Sequence, residues 1–85
     1  MKNKYLITIL IPDIEYEFDV YIPSNKKVGT IKKYLYFSIN ELTNGAFKIK
    51  DNVIFIDRDN GITYDNDKLI KDSGIKNGTK IVLIQ

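Results

Sequence analysis

The sequence contains neither histidine nor cysteine. Imidazole is the usual general base at neutral pH, and thiolates build zinc sites, iron–sulfur clusters and disulfides, so most enzyme classes lose their working groups. Carboxylates, lysines and hydroxyls remain. Asp57-Arg58-Asp59-Asn60-Gly61 sets alternating acids before a glycine, as calcium loops do. The register is wrong for calcium. Gly61 comes one position early relative to Asp57, Lys68 stands where a bidentate glutamate belongs, and no helices flank the segment, so a turn between strands is preferred. Lysines near Tyr5, Tyr34, Tyr36 and Phe37 suggest stacking and phosphate contacts to a single-stranded nucleic acid. Against this stand a formal charge of only +2, acids interleaved along Glu15 to Ile22, and no basic-aromatic sheet signature. The serines and threonines have no histidine to activate them, and no glycine-rich strand-to-helix loop can cradle a phosphate. The expectation is a chain that is not an enzyme, with no cofactor, no metal site and no nucleic-acid partner.

Information then lies in the apolar residues and the elements they build. Val28, Ile31, Leu35, Ile39 and Leu42 recur at three- and four-residue spacing, which predicts one helix over about Lys26 to Thr43 with a single core-facing stripe. Ser24 or Asn25 is placed to cap its start, and Asn44-Gly45 to end it. Thr30, Lys33, Asn40 and Glu41 fall opposite the stripe. So does Phe37, with Tyr34 on the flank; either Phe47 and Ile49 fold over these two aromatics or they form a second contact surface. Lys26, Lys27, Lys32 and Lys33, near the same helix, read as a solvated face.

Strands account for the rest. Lys4 to Ile11 and Glu15 to Ile22 are strands of a hairpin turned at Pro12-Asp13, with Phe18, Val20 and Ile22 alternating against Glu17, Asp19 and Tyr21. After the helix, Ala46 to Asn52 is a short strand or a loop on the core, and Val53 to Asp57 is a strand. Asp59-Asn60-Gly61 is a turn, Ile62 to Tyr64 a short strand, and Leu69 and Ile75 lie in an irregular segment. Asn77-Gly78 is a second turn, and Lys80 to Ile84 the last strand. The order is β-β-α-β-β-β in one domain, residues 1–85. Its economical arrangement is an α+β β-grasp: a mixed sheet of four to five strands, first and last side by side in the middle, with one helix packed across one face. No run approaches the ~20 apolar residues that cross a bilayer, and none has the form of a signal peptide, so a cytoplasmic protein without direct membrane insertion is expected. Abundant Ile, Lys and Asn suggest an AT-rich genome, compatible with a low-GC bacterium.

Phe18, Val20 and Ile22, followed by Val28, Ile31 and Leu35, resemble the second strand and helix of ubiquitin in spacing and type. Leu69, Ile75, Ile81 and Leu83 resemble its irregular segment and last strand. Lys26-Lys27-Val28, Asp67-Lys68-Leu69-Ile70 and Gly74-Ile75-Lys76-Asn77-Gly78 are similar to the YukD/EsaB group, small ubiquitin-like proteins associated with type VII (WXG100) secretion loci of Gram-positive bacteria. The resemblance covers nearly the whole chain. It implies a non-catalytic adaptor or regulator of such a system, acting through protein–protein contacts. A ubiquitin-like modifier or sulfur carrier is the alternative; it requires a flexible Gly-Gly terminus, whereas no glycine follows Gly78 and the sequence reads Val82-Leu83-Ile84-Gln85. A free-standing interaction domain of an unrelated complex is the other alternative.

Period-two alternation supplies a candidate surface. If Ile7, Ile9, Phe18, Val20, Ile22, Ile81 and Leu83 face the helix, then Leu6, Leu10, Tyr21, Val82 and Ile84 face the other way, joined by Val53/Phe55 or by Ile54/Ile56. Ubiquitin's main recognition surface lies on that sheet face, so the resemblance implies the same use. With Tyr34 and Phe37, these residues are expected to meet a protein partner, either a membrane component of the secretion machinery or a second copy of the chain.

Overall fold

A computed structural model describes residues 3–48 and 53–85. Strands β1 (Lys4–Ile11) and β2 (Tyr16–Pro23) form the hairpin, followed by helix α1 (Val28–Leu42), β3 (Ile54–Asp57) and β4 (Lys80–Ile84). The sheet order is β2-β1-β4-β3, with β1 and β4 parallel in the middle and both outer pairs antiparallel. This is the β-grasp arrangement. Ile62 to Tyr64 is not a fifth strand: only an isolated bridge, Ile56 to Thr63, joins it to β3. Turn bonds hold that segment instead, since Asp57 N–H donates to the Ile62 carbonyl and Gly61, at φ +73°, donates back to Asp57.

Val28, Ile31, Leu35 and Ile39 are buried on α1 against Ile7, Ile9, Ile22, Phe55, Ile81 and Leu83. Leu42, expected on the same stripe, is 51% exposed. Lengths explain the difference. Val28 to Ile39 spans about 17 Å at ~1.5 Å per residue, which matches a five-residue β4 at ~3.3 Å per residue; Leu42 lies one turn farther on. Phe47 closes the core from beyond the helix, while Ile49 lies outside the described residues. In the 65–75 segment the core residues are Ile70 and Ile75; Leu69 is half-buried.

The start of the helix departs from expectation. Neither Ser24 nor Asn25 caps it; Lys27 is the extended N-cap residue and makes no side-chain cap. The first-turn amides are satisfied by distant backbone: Val28 N–H donates to the Lys68 carbonyl at 2.8 Å and Gly29 N–H to that of Asn66 at 3.0 Å. In return Ile70 and Lys71 donate to Lys26 and Ser24. The approach is close enough that a Cβ on Gly29 would stand 3.3 Å from the Asn66 carbonyl oxygen. At the other end Asn44 and Gly45 adopt positive φ as expected, and Gly45 N–H donates to the Asn40 carbonyl.

Two side-chain groups fix β3. Lys32 lies 5.1 Å from the centre of the Phe55 ring, and Tyr36 meets that ring edge-on at 5.9 Å. Lys32 is therefore half-buried, and burial lowers its ammonium pKa; it does not belong to the solvated lysine face. At the end of β3, buried Asp57 accepts from the Tyr64 hydroxyl at 2.9 Å and from the amides of Asp59 and Asn60 at 2.8 and 3.2 Å. Burial alone pushes the carboxyl up, but the Tyr64 bond, the two turn amides and the charge of Lys76 outweigh it and hold Asp57 below the usual carboxylate range. Burial and the Asp57 bond push the Tyr64 hydroxyl up. Asp57 thus holds the 57–61 turn and ties it to Tyr64.

Leu35→Ala should cost about 2–5 kcal/mol in chemical denaturation, and a loss under about 1 kcal/mol would place the stripe outside the core. Because the folded-state pKa of Asp57 is depressed, its stabilisation is present above the unfolded value near ~3.9 and is lost as pH falls through the folded value. Stability measured by denaturation should decline below about pH 4, and Asp57→Asn should flatten that acid limb. An unchanged limb in the variant would remove Asp57 from the account.

Candidate interaction surface

The helix covers one face of the sheet, and the register defines what the other face carries. Across the strands, Leu10 is level with Val82, which is level with Ile56; beside them Ile84 is level with Ile54. Ile54 and Ile84 are 46% and 44% exposed, and Leu10, Ile56 and Val82 are half-buried. Phe55 and Val53 point into the core, so Ile54/Ile56 is the pair that joins the outer face. A shallow groove continues the apolar area from Leu10 and Val82 past Pro12 to Tyr16.

Leu6 and Tyr21 do not belong to this cluster. They are level with each other, but the next row contains Asp19, Thr8 and Lys80, which separates them from Leu10 and Val82. Thr8 Oγ1 donates to Asp19 Oδ1 at 2.7 Å within that row. Sequence alternation puts all of these residues on one face, but only pairing register decides which are neighbours. Tyr34 and Phe37 lie on the helix and are 69% and 66% exposed, so among the described residues Phe47 does not cover them. The seven expected site residues thus occupy three areas: Leu10, Val82 and Ile84 in the apolar cluster, Leu6 with Tyr21 at the opposite end of the sheet, and Tyr34 with Phe37 on the helix.

Among the described residues no group of three or more Asp or Glu side chains could hold a metal ion, and no helix is long and apolar enough to cross a membrane. The outer face presents Leu10, Ile54, Ile56, Val82 and Ile84 with Glu17, Asp19 and Thr8 at their boundary, which suits apolar contact with a polar rim.

No protein-family model matches the chain, and no curated protein matches it. Solved structures do. The ubiquitin-like domain of the Mycobacterium tuberculosis type VII secretion system protein EccD1 is similar at TM-score 0.71 and 18% identity, over 96% of this chain and 98% of that one. A chain of an ESX-5 inner membrane complex gives TM-score 0.76 at 9% identity, over 96% of this chain and 21% of that chain, so this chain spans about a fifth of its length. A chain of the toluene 4 monooxygenase HD complex gives 0.72 at 10% identity, over 94% of this chain and 95% of that one. These likenesses establish a ubiquitin-like β-grasp fold. They span secretion components and an enzyme complex, so the fold alone does not assign the work.

Because the Phe37 ring is largely exposed, Phe37→Ala should leave stability within about 1 kcal/mol in a denaturant titration. A loss of several kcal/mol would mean that the ring is covered.

Proposed function

We propose that this chain is a non-catalytic, ubiquitin-like adaptor or regulator of a bacterial type VII (WXG100) secretion system, as the resemblance to the YukD/EsaB group implies. It acts by docking its outer sheet face on another protein and not by conjugation. The observation that carries this reading is the contiguous apolar cluster of Leu10, Ile54, Ile56, Val82 and Ile84, held on paired strands so that only side chains are available for recognition. The likeness to a ubiquitin-like domain of a type VII secretion protein and to a chain of an ESX-5 inner membrane complex supports the choice of system. The favoured partner is a membrane component of the machinery, met on the cytoplasmic side.

Val82→Glu combined with Leu10→Lys tests the reading. The two positions are level on neighbouring strands, so the opposite charges support each other and the fold, while any apolar partner must bury both. A folded monomer by circular dichroism and light scattering should no longer support secretion of a WXG100 protein or co-purify with its partner. Unchanged secretion and association in a folded double variant would show that this face is not the working surface.

A further inference from the structure

The two edges of the sheet are not alike. β3 is short, and its outer side is met by the Ile62-Thr63-Tyr64 segment through the Thr63 bridge and the Asp57–Ile62 hydrogen bond. β2 is eight residues long and, among the described residues, pairs only with β1. The backbone of Thr8 and Leu6 turns toward β4, since Thr8 N–H donates to Thr79 and the Leu6 carbonyl accepts from Gly78. The neighbouring positions of β1 must therefore bond β2 through Phe18, Val20 and Ile22. Glu17, Asp19 and Tyr21 are left with N–H and C=O groups directed away from the sheet, and among the described residues no backbone bond joins them to another element. Such a row is a template for an added strand.

A groove of about 190 Å³ runs beside this edge, between β2 and α1. Val20, Ile22, Ile31 and Leu35 line it with apolar surface, and Tyr34 and Ser38 stand along its helix side. A strand added to β2 would send alternate side chains into the groove and the others onto the outer face, beside Glu17 and Asp19. Both acids are exposed, as is Glu15 before them. Opposite charges facing each other across strands are favourable, and like charges are not.

We infer that the β2 edge and the β2–α1 groove form a binding site for an extended segment of another protein in which apolar residues alternate with lysine or arginine. The apolar residues fill the groove, and the basic ones lie beside Glu17 and Asp19. Lys4 stands at the Pro23 end of the groove, so the basic residues belong toward the Glu17 end. A second copy is a poor occupant. Antiparallel pairing of β2 with itself about Asp19 sets Asp19 against Asp19, and about Phe18 it sets Glu17 against Asp19. About Val20 it sets Glu17 against Pro23, which has no N–H to donate. The site is separate from the apolar cluster on the outer face, and its failure would leave that reading untouched.

The test is an NMR titration of the isotope-labelled chain with a capped peptide of alternating valine and lysine, its valine–glutamate counterpart, and the lysine peptide with a fully N-methylated backbone. Saturable binding of the lysine peptide should shift the amides of Glu17, Asp19 and Tyr21 together with those of Ile31 and Leu35. N-methylation should abolish it, and the glutamate peptide should bind at least about tenfold more weakly. Glu17→Lys with Asp19→Lys should reverse the preference between the two charged peptides. Absence of saturable binding, undiminished binding of the N-methylated peptide, equal binding of the glutamate peptide, or shifts confined to Leu10 and Val82 would each overturn the proposal. So would concentration-dependent shifts of the β2 amides in the free chain, which would mark a dimer through that edge.

Discussion

One helix can cover only one face of a sheet. Among the described residues the helix is 15 residues long and the sheet has four strands, and the side away from α1 leaves Ile54 and Ile84 exposed. The parallel pairing of β1 with β4 makes that constraint strict. It places the first and last strands in the middle, fills the helix side with Ile7, Ile9, Ile81 and Leu83, and sends Leu10 and Val82 to the uncovered side. Leu10, Ile56 and Val82 are only half-buried there, so a partner covering them, as proposed, would remove further apolar area from water.

Much of this was legible in the sequence. The two-residue alternation of the hairpin and the helical stripe through Leu35 identify the elements, because each has a period that only one backbone geometry satisfies. Asn44-Gly45 marks the helix end because a left-handed residue is needed there. The start of the helix was less legible. Its amides are capped by the carbonyls of Asn66 and Lys68, and no local pattern announces a partner forty residues away. Leu42 misled for a different reason: it has the right phase, but the stripe outruns the strand it packs on.

The candidate surface was legible by face but not by neighbourhood. Alternation assigns Leu6, Tyr21, Leu10, Val82 and Ile84 to the outer side, yet register places the Asp19–Thr8–Lys80 row between the first two and the rest. The choice between Val53/Phe55 and Ile54/Ile56 was also undetermined. Phe55 settles it by packing beneath Lys32 and Tyr36, which turns Ile54 and Ile56 outward. The β2 edge is a property of topology, visible only once the strand order is known.

The central claim is that the outer sheet face, and not the solvent side of the helix, meets the partner. Site-specific photo-cross-linking in secreting cells tests it most directly, with the photo-reactive side chain placed at Ile84 in one experiment and at Lys33 in the other. The account predicts a covalent product with a protein of the secretion machinery from Ile84 and none from Lys33. Cross-linking from Lys33 alone would contradict it.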